Sequence, residues 1–434
     1  MRTKTLVIGI VIACALSAPP SLARPVPVEL RFQQLALGAT HGCGITLEQD
    51  AYCWGDNRDG QLGTGDTKRR TAPVAVSGGH KFAELVVAGL GIEGAGYFSC
   101  GRTVAGRVLC WGSNGFGQLG DGTREQRLLP TSVSGELTLR TLYAHGMEVC
   151  GIDSADLIVC WGLVGQEATI SGRYGLMLEP GDLPLGTGAK PTRFVPVGEQ
   201  RICALDAAGY AYCWVMQDRK DLQVSIVTPK DLEHRTLAFS NSLSTPCAVS
   251  AAGALSCWSV LWAAGGGRFK GGVTMFEPTT VLPGIRFQDL AFGPDGLWAL
   301  AADGALFHGP GFQLFGKSAA PTPLATAQRF RALAVGPGQP FGCALATDGA
   351  AWCWGSNAEG ELGIGTRDER VTEPTAVVGG LSFANLVARR SGACGLTSEG
   401  RAYCWGKNEW GELGDDSRTR RLVPTPIAAP APVR

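Results

Sequence analysis

The chain has 434 residues, with 38 basic and 38 acidic side chains, 45% hydrophobic residues, 62 Gly, 25 Pro and 15 Cys. Zero net charge with 18% charged residues excludes the basic excess of a nucleic-acid surface, and the apolar content excludes a disordered tail. Length alone predicts two to four domains at roughly 100–200 residues each, and glycine well above the usual ~7% points to many tight turns.

At the N-terminus, Arg2 and Lys4 precede an apolar run, Leu6–Leu16, broken only by Gly9. Ser21 and Ala23 then offer small residues at −3 and −1 for cleavage before Arg24, so residues 1–23 read as an export signal. The run is too short to span a bilayer, which needs about 20 residues, and no later run is longer. The rival reading takes Val11-Ile12-Ala13-Cys14 as a lipoprotein box with a lipid anchor at Cys14. Either reading places the protein outside the cytoplasm: extracellular, periplasmic or in the cell envelope.

Beyond Arg24 the chain repeats. Setting Cys14 aside, fourteen cysteines form seven pairs, each ten positions apart. They are Cys43 and Cys53, Cys100 and Cys110, Cys150 and Cys160, Cys203 and Cys213, Cys247 and Cys257, Cys343 and Cys353, and Cys394 and Cys404. An eighth unit keeps the frame with Trp298 and His308 in place of the cysteines. Eight units of about fifty residues replace the estimate of two to four domains with one repeat array over residues 24–434.

The even spacing leaves a loop of odd length, and the commonest odd hairpin loop has three residues ending in the left-handed region. Gly106, Gly209, Gly253, Gly304, Gly349 and Gly400 fill that last position, with Asp50 and Asp156 in the other two units. Each unit is therefore expected to hold a β-hairpin whose cysteines face each other within disulfide range. A zinc site would need four ligands, which no unit brings. The bridges would chiefly lock hairpin register.

The second hairpin strand ends in aromatic runs such as Tyr52-Cys53-Trp54-Gly55, Tyr212-Cys213-Trp214 and Trp352-Cys353-Trp354-Gly355. Recurrence in seven units points to packing between neighbouring sheets rather than to a ligand cage. An apolar strand precedes each hairpin, as in Phe32–Gly38, Phe82–Gly89 and Phe383–Ala388. A Pro-bearing strand (Pro73–Val76, Pro130–Val133, Pro374–Val377) precedes that, and proline places it at a sheet edge. Four short strands per unit predict an all-β propeller of eight blades, with seven the second choice. Both termini carry Pro-Val strand sequence, so either is expected to complete a blade from the opposite end of the chain.

After each tryptophan comes a glycine-rich connection, clearest in Gly55–Gly65, Gly112–Gly122, Gly355–Gly365 and Gly406–Gly414. At these residues, with the pattern Trp-Gly-x-Asn-x-x-Gly-Gln/Glu-Leu-Gly, the chain resembles the repeat family named after the regulator of chromosome condensation. Four units match closely and the middle four are degenerate. The resemblance covers roughly residues 25–428 and implies a β-propeller, usually of seven blades. It also implies two kinds of relative, a guanine-nucleotide exchange factor and exported protein-binding propellers. It supplies no catalytic residue and no cofactor.

The leading functional reading is a non-enzymatic exported propeller that binds an unidentified protein or extracellular polymer, and neither nucleic acid nor a membrane span. Two departures from the repeat, Leu163–Pro184 and Ser259–Gly272, are the expected contact regions, with Trp262 and Phe269 as aromatic anchors. A hydrolase or lyase in the central funnel is the rival class. It would need convergent acids and bases, whereas His41, His80, His145, His234 and His308 fall at different repeat positions. The doublets Arg69-Arg70, Arg389-Arg390 and Arg420-Arg421 read as exposed loop charges, and Asp182 and Asp415-Asp416 as solvated caps.

Overall fold

A computed structural model of the chain describes residues 29–89, 96–164, 176–183, 190–197, 201–218, 221–226, 228, 234–239, 245–262, 273–293, 296–309, 320–335 and 341–430. They form eight antiparallel four-stranded sheets, each with its strands in sequential order, arranged as the blades of a propeller. In blade 1 the strands are Phe32–Leu37, His41–Thr46, Ala51–Gly55 and Arg70–Ala75. The first strands of blades 2 to 8 are Phe82–Ala88, Leu139–His145, Pro191–Val197, His234–Phe239, Phe287–Gly293, Phe330–Ala334 and Asn385–Arg389. These first strands are innermost, where neighbouring blades meet around a central channel.

The predicted hairpin is the unit of every blade. In blade 2, Gly106 N–H donates to Thr103 O at 2.8 Å and Thr103 N–H to Arg107 O at 2.8 Å, which closes a three-residue loop. Gly106 has φ 84°, a left-handed conformation that explains glycine at this position in six blades. In blade 1 the left-handed residue is Gln49, at φ 68°, and not Asp50, which lies one position later. A second glycine requirement lies in the hairpin strand itself. A Cβ on Gly44 would come within 2.5 Å of the Phe32 ring.

The Pro-bearing strand is at the sheet edge, as expected, but it belongs to the preceding hairpin. Arg70–Ala75 pairs with Ala51–Gly55, and Arg127–Ser132 with Val108–Gly112, so each blade runs from apolar strand through hairpin to Pro strand. The termini also differ from expectation. Arg421–Pro426 completes blade 8 beside its own hairpin strand Ala402–Gly406, and no blade is shared between the ends of the chain among the described residues. The segment Pro25–Val28 lies outside the described residues.

The ring instead closes by the same packing at each seam. Cys43 and Cys53 of blade 1 lie against Trp111 of blade 2, and Cys100 and Cys110 against Trp161 of blade 3. Cys203 and Cys213 of blade 4 lie against Trp258 of blade 5. Cys394 and Cys404 of blade 8 lie against Trp54 of blade 1. Eight hydrophobic clusters fill the eight seams in this way. Two seams depart in detail: Cys247 and Cys257 of blade 5 meet Leu297, Ala299 and Phe307 of blade 6 rather than a tryptophan, and blade 6 meets Trp354 of blade 7 with Trp298 rather than with cysteines. Hydrogen bonds repeat with the packing. The first residue of a blade donates its N–H to the left-handed turn residue of the blade before, as in Phe82 to Gln49 O at 2.9 Å and Phe32 to Gly400 O at 2.7 Å.

The tryptophan N–H makes the second link. Trp111 Nε1 donates to Gln61 O at 2.9 Å, Trp161 to Gln118 O at 3.1 Å, Trp405 to Glu361 O at 2.8 Å and Trp54 to Glu412 O at 3.0 Å. Each acceptor is the Gln/Glu of the glycine-rich turn in the preceding blade, whose Asn holds the turn from within. Asn57 Oδ1, for example, accepts Leu62 N–H at 2.9 Å. Recurrence of the motif thus marks a seam contact as well as a turn.

All seven cysteine pairs face directly across their hairpins with sulfurs at disulfide distance. The Cα atoms lie 4.3 Å apart for Cys203 and Cys213, 4.0 Å for Cys247 and Cys257, and 4.1 Å in the other five pairs. These separations fall just short of the ~4.4–6.8 Å usual for disulfides, because directly opposed strands hold the backbones close. We expect that in the full chain denatured without reductant at most one of the 15 cysteines, Cys14, reacts with an alkylating agent, and that reduction releases fourteen more. Intact mass before and after reduction measures this; extensive alkylation before reduction would contradict it.

Candidate functional site

Of the two nominated departures, Ser259–Gly272 contains structure of its own. Val260–Trp262 pairs with Val273–Met275 as a two-stranded ribbon, inserted in blade 5 ahead of the fourth strand Thr279–Val281. It is the one strand pair outside the eight blades among the described residues. Trp262 pairs with Val273 in this ribbon, and Phe269 lies outside the described residues. Met275 and Phe276 at its base are 37% and 40% exposed, an apolar pair that the sequence reading missed. Of the other departure, Leu163–Pro184, residues 165–175 and 184 lie outside the described residues, and the rest is ordinary blade. Leu176–Asp182 is the fourth strand of blade 3, and Leu163, Val164 and Leu183 are buried in seams.

The channel offers a second site. One residue of each first strand takes the same register against its hairpin in every blade: Gln34, Glu84, Thr141, Arg193, Thr236, Asp289 and Ala332, each two places into its strand after a bulge, and Asn385, which opens its own. In blades 1 and 2 this side chain clasps the next blade. Gln34 both donates to Leu85 O and accepts Leu85 N–H at 3.1 Å, and Glu84 accepts Leu142 N–H at 3.0 Å. Asp289 of blade 6 instead accepts the N–H of Leu290 in its own strand at 2.9 Å, and it takes a hydrogen bond from Thr236 of blade 5.

Beside these groups a cavity of about 230 Å³ opens between the first strands of blades 4 to 7. Arg193, Thr236 and Asp289 supply its polar part, and Leu237, Phe239, Leu290, Phe292, Leu333 and Val335 contribute to its apolar wall. Burial pushes the Asp289 carboxyl up, against the pull of the Leu290 N–H and of Arg193. Burial likewise draws the Arg193 guanidinium down, against Asp289. No sequence signal marked these two residues, because only the strand register places them level with each other.

Other ionisable groups are structural. Arg389, read from sequence as a loop charge, is 2% exposed. It donates to Lys407 O, and Nη1 lies 3.8 Å from Glu412 Oε1. Arg69 and Arg58 stack on Trp410 at 4.5 and 4.3 Å across the seam between blades 1 and 8. Arg70 and Arg421 pair with Asp66 and Asp415, and Arg420 with Glu359. Asp415 is therefore an ion-pair partner rather than a solvated cap.

His41 is fully buried, with Nε2 3.0 Å from Ser99 Oγ, while that hydroxyl donates to Gln61 O at 2.8 Å. The serine proton is thus committed to a carbonyl, and His41 Nε2–H donates; this is not the polarity of a nucleophile and its base. Glu148, Cys150 and Cys160 bring three ligand atoms within 4.8 Å of one another. The two sulfurs stand at disulfide distance and Glu148 Oε1 accepts Trp214 Nε1–H at 2.6 Å, so at this seam a carboxylate takes the indole N–H that turn carbonyls take at the four seams above.

Comparisons agree with this layout. The model for the regulator of chromosome condensation (RCC1) repeat matches residues 49–91, 105–144, 348–393 and 399–434, and a second model of that repeat matches 32–61. The ultraviolet-B receptor UVR8 of Arabidopsis thaliana is 34% identical over 122 residues, 26% of this chain and 27% of that protein. The probable E3 ubiquitin-protein ligase HERC4 of Homo sapiens is 29% identical over 126 residues, 29% of this chain and 11% of that protein. The chain thus spans about a quarter or less of the length of these relatives. Among solved structures, yeast RCC1 (Prp20) bound to Kap60 superposes with a TM-score of 0.59 at 16% identity, over 97% of this chain and 91% of that one. That likeness is one of fold.

Burial lowers the His41 pKa from 6.5 to about 4, against a smaller upward pull from Asp56. As pH falls below 6.5 the unfolded chain takes up a proton that the folded chain refuses, so stability is lost down to about pH 4. The full effect is about 3 kcal/mol. We expect denaturant unfolding to show the parent losing about 2–3 kcal/mol more than His41→Gln between pH 7 and 4.5. Equal losses would contradict the assignment.

Proposed function

The chain belongs to the RCC1 repeat family of β-propellers, and from that premise we propose that it is an exported, non-enzymatic propeller that binds a protein or extracellular polymer. The observation that carries the reading is the seven cysteine pairs at disulfide distance. Such bridges persist in oxidising compartments, and the leader-like residues 1–23 supply a route there. No helix among the described residues is long and apolar enough to cross a membrane.

The contact region is the blade 5 ribbon. It departs from the repeat, carries Trp262, and exposes Met275 and Phe276 at its base; exposed aromatic and Met residues are enriched at interfaces. Phe269 belongs to the same insertion. Binding of Kap60 by yeast RCC1 is a precedent for protein binding on this fold. A nucleotide-exchange regulator and a funnel hydrolase or lyase are the competing readings. The first belongs to a compartment where these cysteines would be reduced, and the second lacks support from the histidines, which lie at different repeat positions.

The test pairs export with capture. We expect a reporter active only outside the cytoplasm to be switched on by fusion to residues 1–40. We also expect the full chain, crosslinked in the extracytoplasmic fraction of its host, to retain a partner that is lost when residues 263–272 are replaced by a two-residue turn. A silent reporter would contradict export. A partner retained equally by both chains would remove the ribbon as the contact region.

A further inference from the structure

The channel cavity and the reading above are independent. Its lining combines one cation, one anion and a hydroxyl with an apolar wall, a composition that specifies a ligand by chemistry. Arg193 is exposed at the rim of this cavity and Asp289 is half-buried, and a charge that a ligand draws out of water is left uncompensated unless that ligand supplies the opposite charge. A ligand with one charge, entering between Arg193 and Asp289, would compensate one of them and strand the other. A ligand bearing both charges compensates both. The size points the same way: about 230 Å³ is below the ~300–1,000 Å³ of pockets for drug-sized molecules. A cavity of that size suits a ligand as small as a single amino acid.

A second observation concerns where the cavity lies. In blade 6 the polar side chain of the inner strand does not clasp the next blade: Asp289 is turned to Leu290 N–H of its own strand and to Thr236. Blade 7 carries Ala332 at the same register. The cavity opens beside these first strands of blades 6 and 7.

We propose that the central channel binds a free α-amino acid with a branched apolar side chain. Its carboxylate sits on Arg193, its ammonium on Asp289, and its side chain packs against Leu237, Leu290, Phe292, Leu333 and Val335. Thr236, hydrogen-bonded to Asp289, holds that carboxylate in place.

The experiment is calorimetric titration of the full disulfide-intact chain with L-leucine, 4-methylpentanoate, isopentylamine and glycine. The last three lack, in turn, the ammonium, the carboxylate and the apolar side chain. L-leucine is expected to saturate one site with a Kd below about 1 mM, and each of the other three to bind at least tenfold more weakly. Arg193→Gln and Asp289→Asn are each expected to weaken L-leucine binding at least tenfold. Hydrogen exchange should show L-leucine protecting the first strands of blades 6 and 7. No saturable binding of L-leucine overturns the proposal, as does equal binding of either singly charged analogue. So does unchanged affinity in a variant with the parent's circular dichroism. The analogue series needs no variant, so a substitution that fails to fold leaves the proposal open to refutation.

Discussion

A tryptophan of one blade lies on the cysteine pair of the blade before it, and its indole N–H is bonded to that blade's glycine-rich turn. Most of the molecule follows from this contact. A four-stranded sheet of short strands cannot bury both faces alone, and in a propeller each blade's face is covered by its neighbour. Trp54, Trp111 and Trp405 are fully buried because they provide that cover. Burying an indole without a partner for its N–H would leave a donor unsatisfied at a cost of about 1–3 kcal/mol. The Gln/Glu carbonyl of the turn removes that cost and fixes the distance between blades at the same time.

The middle of the ring shows what happens when parts of this contact are lost. Glu148 supplies a carboxylate to Trp214 where the well-formed seams use a turn carbonyl. In blade 6, Trp298 and His308 take the cross-strand positions of the cysteines and stack at 4.1 Å, and Trp298 also lies 4.1 Å from Trp354 of blade 7. The aromatic pair keeps the seam filled, but the indole N–H groups of Trp298 and Trp354 are buried without a hydrogen-bond partner among the described residues. The fourth strand of blade 6 is two residues, Thr322–Pro323. Low local stability belongs to elements with few such links, and the channel cavity opens beside them.

The repeat frame, the hairpin, the facing cysteines and the eight blades were legible because each rests on local spacing. A ten-residue gap fixes a loop length, and a loop length fixes which residues face each other. Even in the degenerate middle units, Cys213 faces Cys203 and Cys257 faces Cys247 as that spacing requires. Readings that depended on contact across seams were harder. The Pro strand was placed ahead of its blade because sequence order does not say which hairpin it pairs with. Arg389 and Asp415 read as solvated charges, because their burial comes from the closure of the ring around them. Of the candidate site, sequence found the blade 5 departure and Trp262, since a broken repeat is visible. It missed Met275, Phe276, Arg193 and Asp289, whose exposure or mutual register exists only in the folded ring.

The account rests on closure: eight blades, with blade 8 seated on blade 1 through Trp54, Phe32 and the Arg58–Trp410–Arg69 stack. The most direct measurement is equilibrium unfolding of the full chain beside a chain ended before Ser382, which lacks blade 8. Closure predicts one cooperative transition for the full chain. It predicts none for the shortened chain, whose blades 1 and 7 would each expose an uncovered face. A shortened chain that unfolds cooperatively, with undiminished stability per blade, would mean that the repeats form an open stack, and would contradict the account.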